Sequence, residues 1–237
     1  MAGTRRLGGR TTVTVVDAVA PVLVFGIMAL IVGGVVYGVV RYLEHQKERM
    51  RTVAAAAGLQ VDVHTKQPPA LGFDLFDRGS SRKVRSQMWR AGEADSVFQY
   101  QYTEGSGDNS TTYRFTVALI HLPFRAPHLT IATENWWSRL KKAVGSRDIE
   151  VESPAFNERY LVRCADERFA IALLDPPMIA WMLSPYSGGG VVTFEFRDDW
   201  MLCHCKQLDL EDVPAMLTWS KSVVEQLPVV LSDLYGR

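Results

Sequence analysis

The chain is poor in cysteine, in net charge and in catalytic signatures, and each shortage excludes something. Three cysteines in 237 residues cannot all pair with one another, which argues against a disulfide-built secreted scaffold. Lysine plus arginine balances aspartate plus glutamate, 26 against 26. A nucleic-acid binder needs surplus cations to displace phosphate counterions, so no nucleic-acid partner is expected. No Gly-x-Ser-x-Gly elbow occurs, which removes the commonest serine-hydrolase signature. Gly188-Gly-Gly190 has no Lys-Ser/Thr after it and leads into a strand-like run, so it is not a phosphate loop. The element order holds no run of strand–helix–strand units, which excludes a dinucleotide fold. No catalytic, cofactor-binding or metal-binding residue is assigned from the sequence, and no cofactor is expected.

The sharpest shortage is local. Between Asp17 and Arg41 there is no charged residue. Residues 18–40 would form roughly 34 Å of helix, enough to cross a hydrocarbon core of about 30 Å. Pro21 falls in the first turn, where a lost N–H costs least, and Tyr37 and Tyr42 fall where interfacial aromatics belong. The run is too long for a signal-peptide core, and the charged stretch 41–51 separates it from the small residues 54–57. The expected organisation is a short basic tail at 1–17, a transmembrane helix at 18–40 and a helical stalk at 41–57. A soluble domain follows at 58–237, with 145–150 as the place where two subdomains would meet. The lipid bilayer is thus the partner of 18–40. Gly34 and Gly38, four residues apart, would suit close approach of a second helix in a homodimer. Four cations follow the span (Arg41, Lys47, Arg49, Arg51) against three before it (Arg5, Arg6, Arg10). With the odd thiol count, this places the soluble domain on the cytoplasmic side of the plasma membrane.

Beyond Gly58 the hydrophobic period changes from helical to alternating. Phe98, Tyr100 and Tyr102 share one face of a strand over 97–103, preceded by Met88-Trp89 and a turn at 92–95. Further strands are expected at 61–63, 113–122, 129–132, 149–152 and 160–164, with a hairpin of 191–196 and 201–205 turning at Arg197-Asp198-Asp199. Asp166 and Asp175-Pro176-Pro177 should cap two helices. A closing helix from Asp212 should kink at Pro228. Strands with segregated helices make the fold class α+β: one transmembrane helix, then an antiparallel sheet with helices.

Several of these segments together resemble an uncharacterised family of bacterial membrane-anchored proteins with an α+β soluble domain. The residues carrying the resemblance are Gly92, Val97-Phe-Gln-Tyr-Gln-Tyr-Thr-Glu-Gly-Ser-Gly107 and Thr116-Val117-Ala118. Pro127-His-Leu-Thr-Ile-Ala-Thr-Glu134, Ile149-Glu-Val-Glu152, Phe156-Asn157 and Tyr160-Leu-Val162 continue it, and the run from Asp166 through Pro176-Pro177 completes it. The similarity spans about residues 71–217 and implies a fold but no activity.

Four groups of residues invite chemistry. Cys203-His204-Cys205 places two thiols on one strand face and the imidazole on the other, with Cys164 as a third candidate thiolate. His121 and His128 flank a short loop, with no carboxylate at ligand spacing. Arg78, Arg82, Lys83, Arg85 and Arg90 form a basic stretch suited to anionic lipid headgroups. Trp136-Trp137 beside Arg139, Lys141 and Lys142 suits an interface anchor or a sheet cover. The expected role is a non-catalytic scaffold or regulatory interaction domain held at the membrane, with an unknown protein partner. The alternatives are an enzyme with a thiol or metal site near Cys164, Cys203 and Cys205, or a lipid-headgroup-binding module.

Overall fold

A computed structural model describes residues 15–137, 147–184 and 190–236. Helix α1 (Val15–Ala56) opens it. Its apolar stretch is long enough to cross a membrane and is unburied. Gly58 ends the helix at φ +68°, a left-handed conformation glycine adopts without strain. There the Leu59 N–H donates to the Ala54 carbonyl at 2.8 Å. Residues 1–48 form one unit of the chain, and residues 49–237 form a second, compact one.

The second unit is built on a seven-stranded, wholly antiparallel sheet. Its strands are β1 (Gln60–Asp62), β2 (Ser80–Trp89), β3 (Ser96–Glu104), β4 (Thr111–Ala132), β5 (Arg147–Ile149), β6 (Leu161–Cys164) and β7 (Thr193–Lys206). The order is β1-β2-β3-β4-β6-β5, with β7 also paired to β4. Helices α2 (Glu134–Trp137), α3 (Pro154–Arg159), α4 (Glu167–Leu173), α5 (Pro176–Leu183), α6 (Val213–Gln226) and α7 (Val229–Tyr235) complete it. The α+β class is as the sequence implies.

Two expectations fail, for one reason. The separate strands at 113–122 and 129–132 are a single strand of 22 residues, and the hairpin around Arg197-Asp198-Asp199 is a single strand of 14. The turn-like residues are bulges instead. Pairing of β4 with β7 shifts register between His121 and Leu129, where Pro123 and Pro127 sit, and Asp198 takes a positive φ of 50°. Prolines and extra residues are tolerated at bulges because no ladder hydrogen bond is asked of them there. Each bulge swaps which side chains face which side, so the two swaps together keep both faces consistent along the ribbon.

The two faces are filled differently. One carries Met88, Val97, Ala118, Ile120, Leu129, Phe194 and Phe196 beneath residues of α3 to α7. Asp166 caps α4 by accepting from Arg168 N at 2.9 Å, and Asp175 caps α5 by accepting from Met178 N at 2.9 Å. The last two helices part at Pro228. The opposite face carries Val84, Phe98, Tyr100, Tyr102, Phe115 and Val117, packed with Phe73, Leu75 and Phe76 from the segment before β2 and with Trp136 of α2.

Candidate functional site

The aromatic face buries the charged and imidazole side chains Arg78, Glu195 and His204. Segment 71–76 lies here because its backbone is tied to β7. The Asp74 N–H donates to Glu195 Oε2 at 2.7 Å and the Leu75 N–H to Glu195 Oε1 at 3.3 Å. Arg197 donates to the Gly72 carbonyl. Gly72 itself has φ +71°, and an added Cβ would stand 2.9 Å from the Arg197 guanidinium carbon. The left-handed φ is what calls for glycine here.

Around Glu195 gather residues from distant parts of the chain. His128 Nε2 of β4 is 3.7 Å from Asp74 Oδ2, and Asp74, His128 and Glu195 each place a donor atom within 4.8 Å of the others. His204 Nε2 lies 3.9 Å from Glu195 Oε1, although nine residues of straight strand would span roughly 30 Å. The β7 ribbon therefore bends sharply between them, at the Asp198 bulge. Beside His204 stand Trp136, with ring centroids 4.4 Å apart, and Phe115 at 5.4 Å. The Arg78 guanidinium stacks 4.3 Å over Trp136 and donates to Tyr102 Oη at 3.3 Å.

Burial sets the charge states. Glu195 is fully buried; loss of water, then the nearby Asp74 charge, push its carboxyl up to about 8, against the pull of the two backbone N–H groups and Arg78. Burial and then Arg78 push the His204 imidazole down to about 3. Burial also lowers His128, with Asp74 opposing and Arg197 reinforcing that shift. Among the described residues, His128 Nε2, His204 Nε2, Trp136 Nε1 and Arg78 Nη2 are buried without a hydrogen-bond partner.

Of the residues singled out from sequence, His128, His204, Arg78 and Trp136 fall in this cluster, and the other described ones lie elsewhere. Cys203 and Cys205 do share one face and His204 the other, but Cys164 pairs with Leu129 whereas Cys203 pairs with Ala118. Among the described residues, the side chains close enough together to share a metal ion include none of the three thiols. All three are free and buried. Burial raises Cys164 and Cys203 and pushes Cys205 up to about 12, which disfavours their thiolate forms. His121 packs edge-on to Trp200 at 5.2 Å. The basic stretch does not present one face: Arg78 is in the core and Arg82 donates to the carbonyls of Asp77, Arg78 and Gly79. Lys83 and Arg85 are exposed. Trp136 is 5% exposed and covers the sheet, so the anchor reading fails for it. The Trp137 side chain, Arg139, Lys141, Lys142 and Gly188-Gly189 lie outside the described residues, as does the basic tail through Thr14.

The histidines of the cluster are His128 and His204. Their carboxylate neighbours were invisible in sequence because Asp74 is 54 positions before His128 and Glu195 is 67 after it. Only the folded register brings them together. An acidic residue flanked by Phe194 and Phe196 in a β run was the one available hint.

No protein-family model matches the chain, and no curated protein does. Among solved structures, the fold is similar to the crystal structure of the mycobacterial trehalose monomycolate transport factor A, TtfA. The TM-score is 0.51 at 11% identity, covering 76% of this chain and 90% of that one.

Proposed function

We propose that this chain is a single-pass, membrane-anchored, non-catalytic factor that serves a transport apparatus at the plasma membrane of a bacterium. The observation that carries the reading is the shared fold with TtfA over most of both chains, in a protein that also has a helix able to span a bilayer. The chemistry of the domain supports it. Its thiols are buried and free, and its most perturbed carboxyl is occupied in holding segment 71–76. The domain works by binding: its partner is a membrane protein, and residues 18–40 keep it beside that partner. We place the domain on the cytoplasmic side, where reduced thiols persist.

The test is removal of the protein from its source cells, followed by isotope labelling of envelope lipids. The expected result is an envelope lipid or glycolipid that accumulates before export, restored by the full chain but not by a version lacking residues 18–40. An unchanged lipid distribution, or full rescue without the anchor, would contradict the reading.

A further inference from the structure

We propose that Asp74, His128 and Glu195 form a binding site for one divalent transition-metal ion, with zinc the best fit. The three residues come from three separate segments, and their donor atoms already lie within 4.8 Å of one another. Tetrahedral zinc with bonds of about 2.0–2.1 Å needs its ligand atoms about 3.3 Å apart. The closure required is therefore on the order of 1 Å, within reach of the loop that carries Asp74.

A second observation points the same way. His204 is 2% exposed, its Nε2 has no hydrogen-bond partner among the described residues, and that atom faces Glu195 Oε1 at 3.9 Å. The His128 Nε2 is likewise buried and unpartnered. Two imidazole nitrogens left unsatisfied beside a carboxylate fully out of water is a costly arrangement, of the kind that an ion relieves. One cation would accept the His128 lone pair and neutralise both carboxylates, and His204 would approach as a fourth ligand. A mixed imidazole and carboxylate set suits zinc better than calcium or magnesium, which favour oxygen alone.

The surroundings supply support and opposition. The Asp74 and Leu75 N–H groups fix the Glu195 carboxylate, as outer hydrogen bonds fix metal ligands generally. Two cations face the cluster and oppose a metal. Arg78 is held by Tyr102 and the Trp136 ring, and Arg197 by the Gly72 carbonyl. The thiols take no part, since Cys203 and Cys205 point to the other face of the sheet. This site stands or falls independently of the transport reading.

The experiment uses the full chain in detergent, stripped with chelator, and titrated calorimetrically with zinc, calcium and magnesium in turn. The expected result is one equivalent of zinc and no stoichiometric calcium or magnesium. Asp74→Ala and His128→Ala should each weaken zinc binding by on the order of 100-fold, while Cys203→Ser with Cys205→Ser leaves it unchanged. Asp74 and His128 are partly exposed, so both variants should keep the wild-type melting temperature in chelator. Should they unfold, cobalt substitution of the wild type decides. A tetrahedral visible spectrum without thiolate charge transfer supports the site. The absence of stoichiometric zinc, binding unchanged in both ligand variants, loss of binding in the cysteine variant alone, or a thiolate-to-cobalt band would each overturn it.

Discussion

The two faces of the sheet solve burial in opposite ways. Beneath the helices, the core is mostly aliphatic and aromatic, and its buried polar groups include the thiols and the Ser220 hydroxyl, with no charged side chain among its buried described residues. On the other face, Tyr100, Tyr102, Phe115 and Trp136 surround Glu195, His204 and Arg78. An apolar face needs only complementary volume, and many side chains will serve. A face that buries a carboxylate and an imidazole needs each partner in place, because an unsatisfied group costs far more than a satisfied one returns. The helix-covered face therefore holds the fold together, and the aromatic face specifies where segment 71–76 and the β7 bend must lie.

That contrast predicts graded effects. The largest belongs to the helix-covered face: Phe194→Ala should lose about 3–5 kcal/mol of unfolding free energy, measured by denaturant titration of the full chain in detergent. A loss under about 1 kcal/mol would mean that this core is not tightly packed. On the aromatic face, Glu195→Ala strands the N–H groups of Asp74 and Leu75 and should cost about 2–3 kcal/mol. Its signature should be local, with hydrogen exchange rising in 71–76 before it rises in the helices. Uniform exchange would erase the distinction drawn between the faces.

A smaller effect tests the seam between α4 and α7. The Tyr235 hydroxyl donates to Asp166 Oδ2 at 2.8 Å, and this bond comes first among the causes that hold the Asp166 carboxyl below its usual range. A depressed carboxylate contributes stability above its unfolded pKa and loses it as pH falls through the folded one. Tyr235→Phe should thus be about 1 kcal/mol less stable than the parent at pH 7. The gap should begin to narrow as the pH falls below the ordinary aspartate value of about 3.9 and close once the pH lies below the lowered pKa of Asp166 in the folded chain. A gap independent of pH would assign the effect to packing against Phe169, whose ring lies 5.1 Å away. The smallest change is expected at the exposed sheet positions: Lys83→Ala and Arg85→Ala should stay within about 0.5 kcal/mol.

The contrast also explains what could be read without a structure. The membrane helix, the Asp166 and Asp175 caps, the β2–β3 hairpin and the break at Pro228 depend on neighbours in sequence, so residue type and spacing are sufficient. The lengths of β4 and β7 are not local properties. Pro123, Pro127 and Asp198-Asp199 carry turn chemistry, and only pairing along the whole ribbon turns them into bulges. The polar cluster was still less legible. His128 and His204 stand out by residue type, whereas Asp74 in the segment before β2 and Glu195 between Phe194 and Phe196 carry no local signal of a partner. The Asp198 bulge reverses the alternation along β7, which puts Glu195 on the same buried face as His204.

Under the proposed function, the domain acts by binding a membrane transport protein. The most direct measurement is cross-linking in intact membranes, then isolation of the tagged full chain and quantitative mass spectrometry. The account predicts a multi-span transport protein recovered at near-equal stoichiometry and lost when residues 18–40 are removed. Recovery of the chain alone, or with soluble proteins whose yield ignores the anchor, would contradict it.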